Sequence, residues 1–434
     1  MTAKDDTPLE ITFPFEPGQD FDLAERIAFW DSSKTINFFL NNGYTLYQRI
    51  ISEDGEATAS TTPALPFEKF AEAAYPYAYY DAQFGGDELI PLCTRESRGK
   101  VVFAQDPLGR HVAIKLVRDN TDEYRILRFL SRVPPKTLQE NSIVPILDFL
   151  PLEGFWFVVM PRWGGAVRFP EAENLKDVLD LMRAMLKALT FLHAHNISHG
   201  DISDGNVLVN HFCDNNMEMT NTIRKELRAQ GRLSYGMFDF DFSIMLLSTA
   251  NKEECRLPYE RSWGTFTRIK DTAQGEFDYN PFSFDVGNMG ALFCRFYQHL
   301  SREAPFLAPL LDRMTTRDLN CRFTASQALQ FFDEMSSQMS QSELGTPIWL
   351  HNPARLVPYD EFNRWEYVPP DLARKWTAYR EPPIPWITKA LRWICASEYF
   401  SVYKVIARIR WFLHKLAFPQ RFCANFVGFR ILPG

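Results

Sequence analysis

The residues best spaced for chemistry in this 434-residue chain lie in Ile197-Ser198-His199-Gly200-Asp201-Ile202-Ser203-Asp204-Gly205-Asn206-Val207-Leu208-Val209. Asp201 and Asn206 stand five positions apart in a loop between two apolar runs. That spacing suits phosphoryl transfer. The Asp can orient an accepting hydroxyl and take its proton, and the Asn can return to hold a metal on nucleotide phosphates. Apolar runs on both sides make such a loop rigid, and positioning is most of the catalysis in this reaction. A surface turn between strands is the competing reading of the same residues.

Other charged residues sit in apolar surroundings. Val101-Val102-Phe103-Ala104, a turn at Asp106-Pro107-Leu108-Gly109, and His111-Val112-Ala113-Ile114-Lys115-Leu116-Val117 predict a β-hairpin. Its return strand carries Lys115, and a buried lysine is expensive unless its charge has partners. It faces either solvent on an edge strand or nucleotide phosphates. In the next run Ile126, Leu127 and Leu130 fall on one helical face with Glu123 one turn earlier, so Glu123 can reach Lys115 from a helix packed on the sheet. Met237-Phe238-Asp239-Phe240-Asp241-Phe242-Ser243 reads as a strand with alternating carboxylates.

The elements that must position these groups follow in order. Residues 1 to about 20 are polar and acidic. An apolar helical face runs through Ile27 to Leu40, Asn42-Gly43 ends it, and Tyr44 to Tyr47 reads as a strand. Residues 52–62 read as a polar linker. Ile143 to Phe149 and Phe155 to Met160 predict two strands joined at Glu153-Gly154, before a hinge at Pro161-Arg162-Trp163-Gly164-Gly165. Leu175 to His195 predicts a long amphipathic helix, and 211–233 a charged insert with one helix from Thr222 to Gln230. A buried helix is expected from Phe284 and two short helices around Arg322.

Composition bounds the reading. Hydrophobic residues make up 46% and charged residues 23%, so most of the chain can fold. A net charge of -7 gives no support to general nucleic-acid binding. Seven scattered cysteines with no Cys-x-x-Cys pair argue against a zinc site or a disulfide framework, and suit reduced thiols in a cytoplasmic or other intracellular setting. No apolar signal region follows the N-terminus, and no uncharged apolar run is long enough to span a bilayer. The tail from Trp386 to Phe418 differs from the rest. Lys389, Arg392, Lys404, Arg408, Arg410 and Lys415 stand there against the single acid Glu398, interleaved with Trp393, Ile394, Ile406, Ile409, Trp411, Phe412 and Leu416. This pattern suits a helix on an anionic membrane surface, in a partner's groove, or packed back on the chain.

Taken together, the pieces resemble a protein kinase domain in the order that family shows. Residues 197–209 resemble its catalytic loop, His-x-Asp-x-x-x-x-Asn, and Val112-Ala113-Ile114-Lys115 its phosphate-binding strand. Glu123 resembles the helix partner of that lysine, and Asp239-Phe240-Asp241 the metal-binding Asp-Phe-Gly, although Asp241-Phe242-Ser243 is an alternative register. Gly264-Thr265 resembles the substrate-facing loop, Asp285 to Gly290 a helix start, and Arg322 the arginine before the last helices. The N-terminal Trp30…Gly43-Tyr44-Thr45-Leu46-Tyr47 and the insert before Asp239 are similar to a group of fungal kinase-like proteins.

The resemblance implies an α+β, two-lobed fold over residues 85–335, with a small antiparallel sheet lobe at about 85–160 and a larger helical lobe at about 164–335. Residues 1–84 and 336–434 are then N- and C-terminal extensions. It implies ATP- and Mg²⁺-dependent transfer to a Ser/Thr hydroxyl of a protein substrate. Asp201, Lys115 and Glu123 would be catalytic. Gly99, Val101, Ala113, Lys115, Val159, Met160 and Arg162 would contact the nucleotide, Val159 guarding the back of the adenine pocket. Asn206 and Asp239 would hold metal.

The departures open two alternatives. Thr94 and Glu96 occupy places of two loop glycines, of which Gly99 remains, and Ser203 replaces a catalytic-loop lysine. Those losses fit a pseudokinase that binds nucleotide or partners without turnover. Gly200 replaces an arginine that reads a phosphorylated activation loop, and Asp241 replaces a glycine. His-Gly-Asp and Asp-Phe-Asp also resemble relatives that phosphorylate small molecules. Arg322 would lack the acid of an Ala-Pro-Glu triplet, with Asp271 or Glu276 as substitutes.

Overall fold

β-branched and aromatic runs separated by glycine turns build the first half of the molecule. A computed structural model describes residues 9–11, 13, 23–55, 57–66, 70–71, 74–81, 84–85, 88–89, 94–95, 99–165, 172–213, 222–264, 269–348, 357–396 and 400–417. Glu96, Thr265 and Phe418 lie outside these residues. The architecture is mixed α+β, in two compact units: Met1–Ser248 with Ala325–His351, and Thr249–Thr324 with Asn352–Gly434.

The first unit centres on a five-stranded antiparallel sheet. Its strands are β1 (Thr45–Leu46), β2 (Val101–Gln105), β3 (His111–Arg118), β4 (Asp148–Leu152) and β5 (Phe155–Pro161), ordered β1-β2-β3-β5-β4. The β2–β3 turn closes because Asp106 Oδ1 accepts from the backbone N–H of both Leu108 and Arg110 at 2.9 Å. Gly109 supplies the left-handed φ of 75°. One sheet face is apolar throughout: Val102, Ala104, Val112, Ile114, Leu116, Phe157 and Val159 are buried with Trp30 and Phe39.

Those two aromatics come from α1 (Leu23–Asp31) and α2 (Ser33–Asn41), which the sequence joins in one apolar face. Ser32 breaks the run and caps α2 through Thr35 N at 3.2 Å. Trp30 and Phe39 meet Phe157 with ring centroids 5.6 and 4.8 Å apart. The stretch read as an N-terminal extension therefore supplies an edge strand and part of the core of the main sheet.

α3 (Asp122–Leu130) starts at the Thr121 cap, with Asp122 and Glu123 in the first turn where the helix dipole favours acids. It buries Ile126, Leu127 and Leu130. α4 (Leu175–Ala194) is the expected long amphipathic helix. It packs beside α5 (Ala325–Ser336), and Arg183 pairs there with Asp333 at 2.7 Å.

Two expected strands come out differently. Ile143 to Leu147 is not part of β4, because Pro145 cannot donate to a ladder. Ile143 bridges Met237 instead, and Val144 N donates to Met237 O at 3.1 Å. The strand expected over 237–243 ends at Met237. Asp239 then takes a left-handed φ of 67°, and Ser243 N donates back to Phe240 O at 3.1 Å.

In the second unit α6 (Pro281–Tyr297) and α7 (Leu307–Thr315) pack on each other. Gly290 permits the approach, since a Cβ there would lie 2.7 Å from Met314 Cβ. Buried Arg322 pairs with Asp271 through both Nη atoms at 2.5 and 2.8 Å, so Asp271 is the substitute acid. The tail forms α8 (Trp386–Cys395) and α9 (Phe400–Ala417).

Candidate functional site

Four short strands hold the two polar loops of the first unit side by side. β6 (Ile197–Ser198) pairs antiparallel with β9 (Ile244–Met245), and β7 (Val207–Val209) with β8 (Tyr235–Met237). Residues 199–206 and 238–243 leave these pairs together. Phe238 N donates to Asn206 O at 3.2 Å, His199 Nε2 donates to Phe238 O at 3.0 Å, and Ser243 Oγ donates to His199 O at 2.6 Å. Asp201 N donates to His199 Nδ1 at 3.3 Å, which fixes the tautomer and makes His199 a buried strut. Gly200 has φ 77°, and a Cβ there would sit 2.4 Å from Phe242 O. Backbone contact demands this glycine.

Asp201 and Asn206 meet within the first loop. Asn206 Nδ2 donates to Asp201 O and to Asp201 Oδ2, both at 2.9 Å. The amide nitrogen thus aims the carboxylate, and Oδ1 is the Asn206 atom that can ligate a cation.

A second cluster gathers on Lys115. Its Nζ lies 2.5 Å from Glu123 Oε1, 2.6 Å from Asp239 Oδ1 and 2.6 Å from Asp241 Oδ1. The sheet, α3 and the 238–243 turn each contribute. Both aspartates reach the lysine, so the two registers of the carboxylate motif converge on one site. Carboxylate oxygens of Glu123, Asp239 and Asp241 lie within 4.8 Å of one another. Such a group of oxygen donors could hold a metal ion.

One cation cannot balance three carboxylates; Lys115 is buried, Glu123 and Asp239 are partly exposed and Asp241 is exposed. Burial alone would lower Lys115, but Glu123, Asp239 and Asp241 hold it well above its ordinary range. Burial pushes Glu123 up to about 8, Asp241 adding to the effect and Lys115 opposing it. Burial also opposes ionisation of Asp241, yet Lys115 and hydrogen bonds from Glu123 and Lys115 hold it well below the carboxylate range. Burial thus favours the neutral form of Glu123 while Lys115 favours the ionised form of Asp241.

Sheet parity sorts the expected nucleotide contacts. Lys115 stands opposite Val101 and Val158, and Ala113 opposite Phe103 and Met160. Val101, Ala113, Met160 and Lys115 therefore share a face. Val159 stands opposite Ile114 and lies on the other face, in the core with Trp30 and Phe157. Val158 holds the place expected of Val159. Strand β5 is apolar at every position, so no alternation in the sequence identified its faces. Arg162 is buried. Its Nη1 donates to Tyr47 Oη at 2.8 Å, and its guanidinium lies over Phe103 and Phe212 at 4.7 and 4.4 Å.

The glycine expected in the phosphate-covering loop is tied to α1. Gly99 takes φ 61°, its carbonyl accepts from Trp30 Nε1 at 2.9 Å, and a Cβ would lie 2.7 Å from Arg26 Cδ. Thr94 sits in a separate short strand, its hydroxyl 2.9 Å from that of Thr61. Lys100 also belongs to the site. Burial, together with the charges of Lys115 and Arg26, lowers it against the pull of Asp241 and Glu123. Nothing in the sequence separates Lys100 from an ordinary surface lysine after Arg98-Gly99, and the roles of Arg26 and Trp30 needed the fold. No family profile matches this chain, and no curated protein matches it in sequence.

Proposed function

We propose that the chain is a phosphotransferase of two-lobed, protein-kinase-like fold that moves a phosphoryl group from ATP, with Mg²⁺, to a Ser/Thr hydroxyl of a protein. The observation that carries this reading is the convergence on Lys115 of Glu123 from α3 and Asp239 from the turn after β8. The spacing of Asp201 and Asn206, locked into one hydrogen-bonded unit, supports it.

Bound Mg²⁺–ATP would supply the electrophilic phosphorus and the charge neutralisation that the reaction needs. Lys115 offsets phosphate charge, and Glu123 keeps the lysine extended across the sheet face. Asp201 Oδ atoms orient the incoming hydroxyl and accept its proton as its oxygen bonds to the γ-phosphorus and the bond from that phosphorus to the β,γ-bridging oxygen breaks, ADP leaving with the electron pair. Asn206 holds Asp201 in place, while Asn206 Oδ1 with Asp239 and Asp241 offers the oxygens for the cation. His199 fixes the tilt of the catalytic loop.

A nucleotide-binding scaffold without turnover is the second reading. The observation in its favour is that Lys115 already engages three carboxyl groups, one for each of its N–H donors. Purified protein with labelled ATP separates the two. Expected are Mg²⁺-dependent thermal stabilisation by ATP, and transfer of the γ-phosphate to protein or water. Asp201→Asn should keep that stabilisation and its melting temperature while losing about 100-fold or more of the transfer. Stabilisation with no phosphate release by wild type leaves the scaffold. The absence of any nucleotide shift removes both.

A further inference from the structure

The two tail helices of the second unit dock on it and still leave large apolar side chains exposed. An ordinary surface helix buries its apolar stripe and shows its charges to water. In α8, half-buried Arg392 points inward, pairing with Asp360 at 2.8 Å and donating to Gln274 Oε1 at 3.0 Å. Its outward face carries Trp386 and Trp393, 77% and 79% exposed and seven residues apart, with Ile387 and Ile394 beside them.

α9 docks through a mixed face, with Tyr403 and Ala407 buried against Tyr259 and with Trp263 and Phe277 packed beside them. Tyr403 is buried, and its hydroxyl lies 2.9 Å from Thr272 O and 3.0 Å from Glu276 O. Arg410 reaches Gln274 O at 2.8 Å and Glu276 at 3.1 Å. Ile406 seats on Gly275, where a Cβ would be 2.3 Å from Ile406 Cγ2. The far side shows Val405, Ile409, Phe412, Leu413 and Leu416, each more than half exposed. At about 100° per residue, Lys404, Arg408 and Lys415 fall within about 40° of one another along one border of that apolar stripe.

We infer that α8 and α9 form a pre-folded anchor that lays the second unit on an anionic lipid bilayer. The ion pairs of Arg392 and Arg410 and the apolar seat of Tyr403 and Ala407 fix the helices to their own unit, so the remaining apolar side chains are presented outward. Charge selects the occupant. Of the six Lys and Arg from Trp386 to Ala417, Arg392 and Arg410 pair inward, while Lys389, Lys404, Arg408 and Lys415 are exposed, in a stretch with the single acid Glu398 and within a chain of net charge -7. A second copy docking by the same face would bring like charge to like charge, whereas phosphatidylserine headgroups complement it. Exposed indoles beside aliphatic side chains and a basic border suit the interfacial region, where rings sit at headgroup depth and cations reach outward. Among the described residues no helix is long and apolar enough to cross a membrane. This assignment is independent of the phosphotransfer reading.

Flotation of the full chain with vesicles tests it. Phosphatidylcholine vesicles containing phosphatidylserine should carry the protein, at least about tenfold better than pure phosphatidylcholine, and salt should reverse the binding. The exposed-face variant Trp393→Ser/Phe412→Ser/Leu416→Ser should lose about tenfold or more with an unchanged melting temperature. Arg408→Glu/Lys415→Glu should lose the preference for anionic lipid. Wild type that never floats, or variants that float equally, overturn the assignment. If wild type is instead a dimer that the triple serine variant makes monomeric, with no flotation, the face is a protein interface and the lipid proposal fails.

Discussion

Lys115 shows how one residue can be both a structural liability and the centre of a site. A buried ammonium needs partners, and here three carboxyl groups answer it, with burial favouring the neutral form of Glu123. Removing the lysine leaves Asp239 and Asp241 facing each other without a cation, and removing Glu123 takes away one acceptor of the ammonium. Lys115→Ala and Glu123→Ala should therefore each weaken ATP binding and lower stability, Lys115→Ala more. The double variant should recover about 0.5–3 kcal/mol of the summed loss. Urea unfolding and ATP titration of the four proteins measure the coupling. Simple additivity would mean that the pair does not act as a unit.

At the scale of elements, two antiparallel strand pairs set both polar loops, and Gly200 is where the loops touch. An alanine there meets the Phe242 carbonyl and must hold a left-handed φ. Gly200→Ala should cost about 2–4 kcal/mol. It should also raise hydrogen exchange in residues 238–243, because His199 and Ser243 lose their register. A variant as stable as wild type would show that the contact relaxes freely. In the sequence this glycine reads as a missing arginine; in the structure it is a steric requirement of the loop crossing.

The whole first unit carries an acid-sensitive joint below its sheet. Arg162 donates to Tyr47 Oη, and Tyr47 in turn hydrogen-bonds His111 Nδ1 at 2.5 Å. Burial first, and then the charge of Arg162, push His111 down to about 3. The unfolded chain takes up this proton near pH 6.5, the folded chain only near pH 3. Stability from the neutral imidazole is thus complete above pH 6.5 and is lost as pH falls toward 3, by roughly 3–5 kcal/mol. His111→Gln retains an acceptor for Tyr47 and cannot titrate, so its urea midpoint should fall less than that of wild type between pH 7 and 4. Parallel midpoints would assign the acid sensitivity elsewhere.

Local pattern was enough for the hairpin around Asp106–Gly109, for the helices carrying Glu123 and preceding Asp201, and for the choice of Lys115, Glu123, Asp201 and Asn206 as candidates, whereas Asp239 was singled out only by its resemblance to the Asp-Phe-Gly motif. Hydrophobic period, turn chemistry and the cost of a charge in an apolar run are properties of a few neighbouring residues. What the tertiary structure alone decided depends on partners far away in the chain. Val158, not Val159, shares the Lys115 face, because an all-apolar strand takes its parity from its neighbours. Asp239 and Asp241 act together because the strand stops at Met237 and turns, a break that no alternation announces. Trp30 and Arg26 support Gly99 across some seventy residues of chain, since only packing of α1 on the sheet brings them there. The tail's composition announced an amphipathic helix. Only docking through Tyr403, Arg392 and Arg410 determined that its apolar side faces outward.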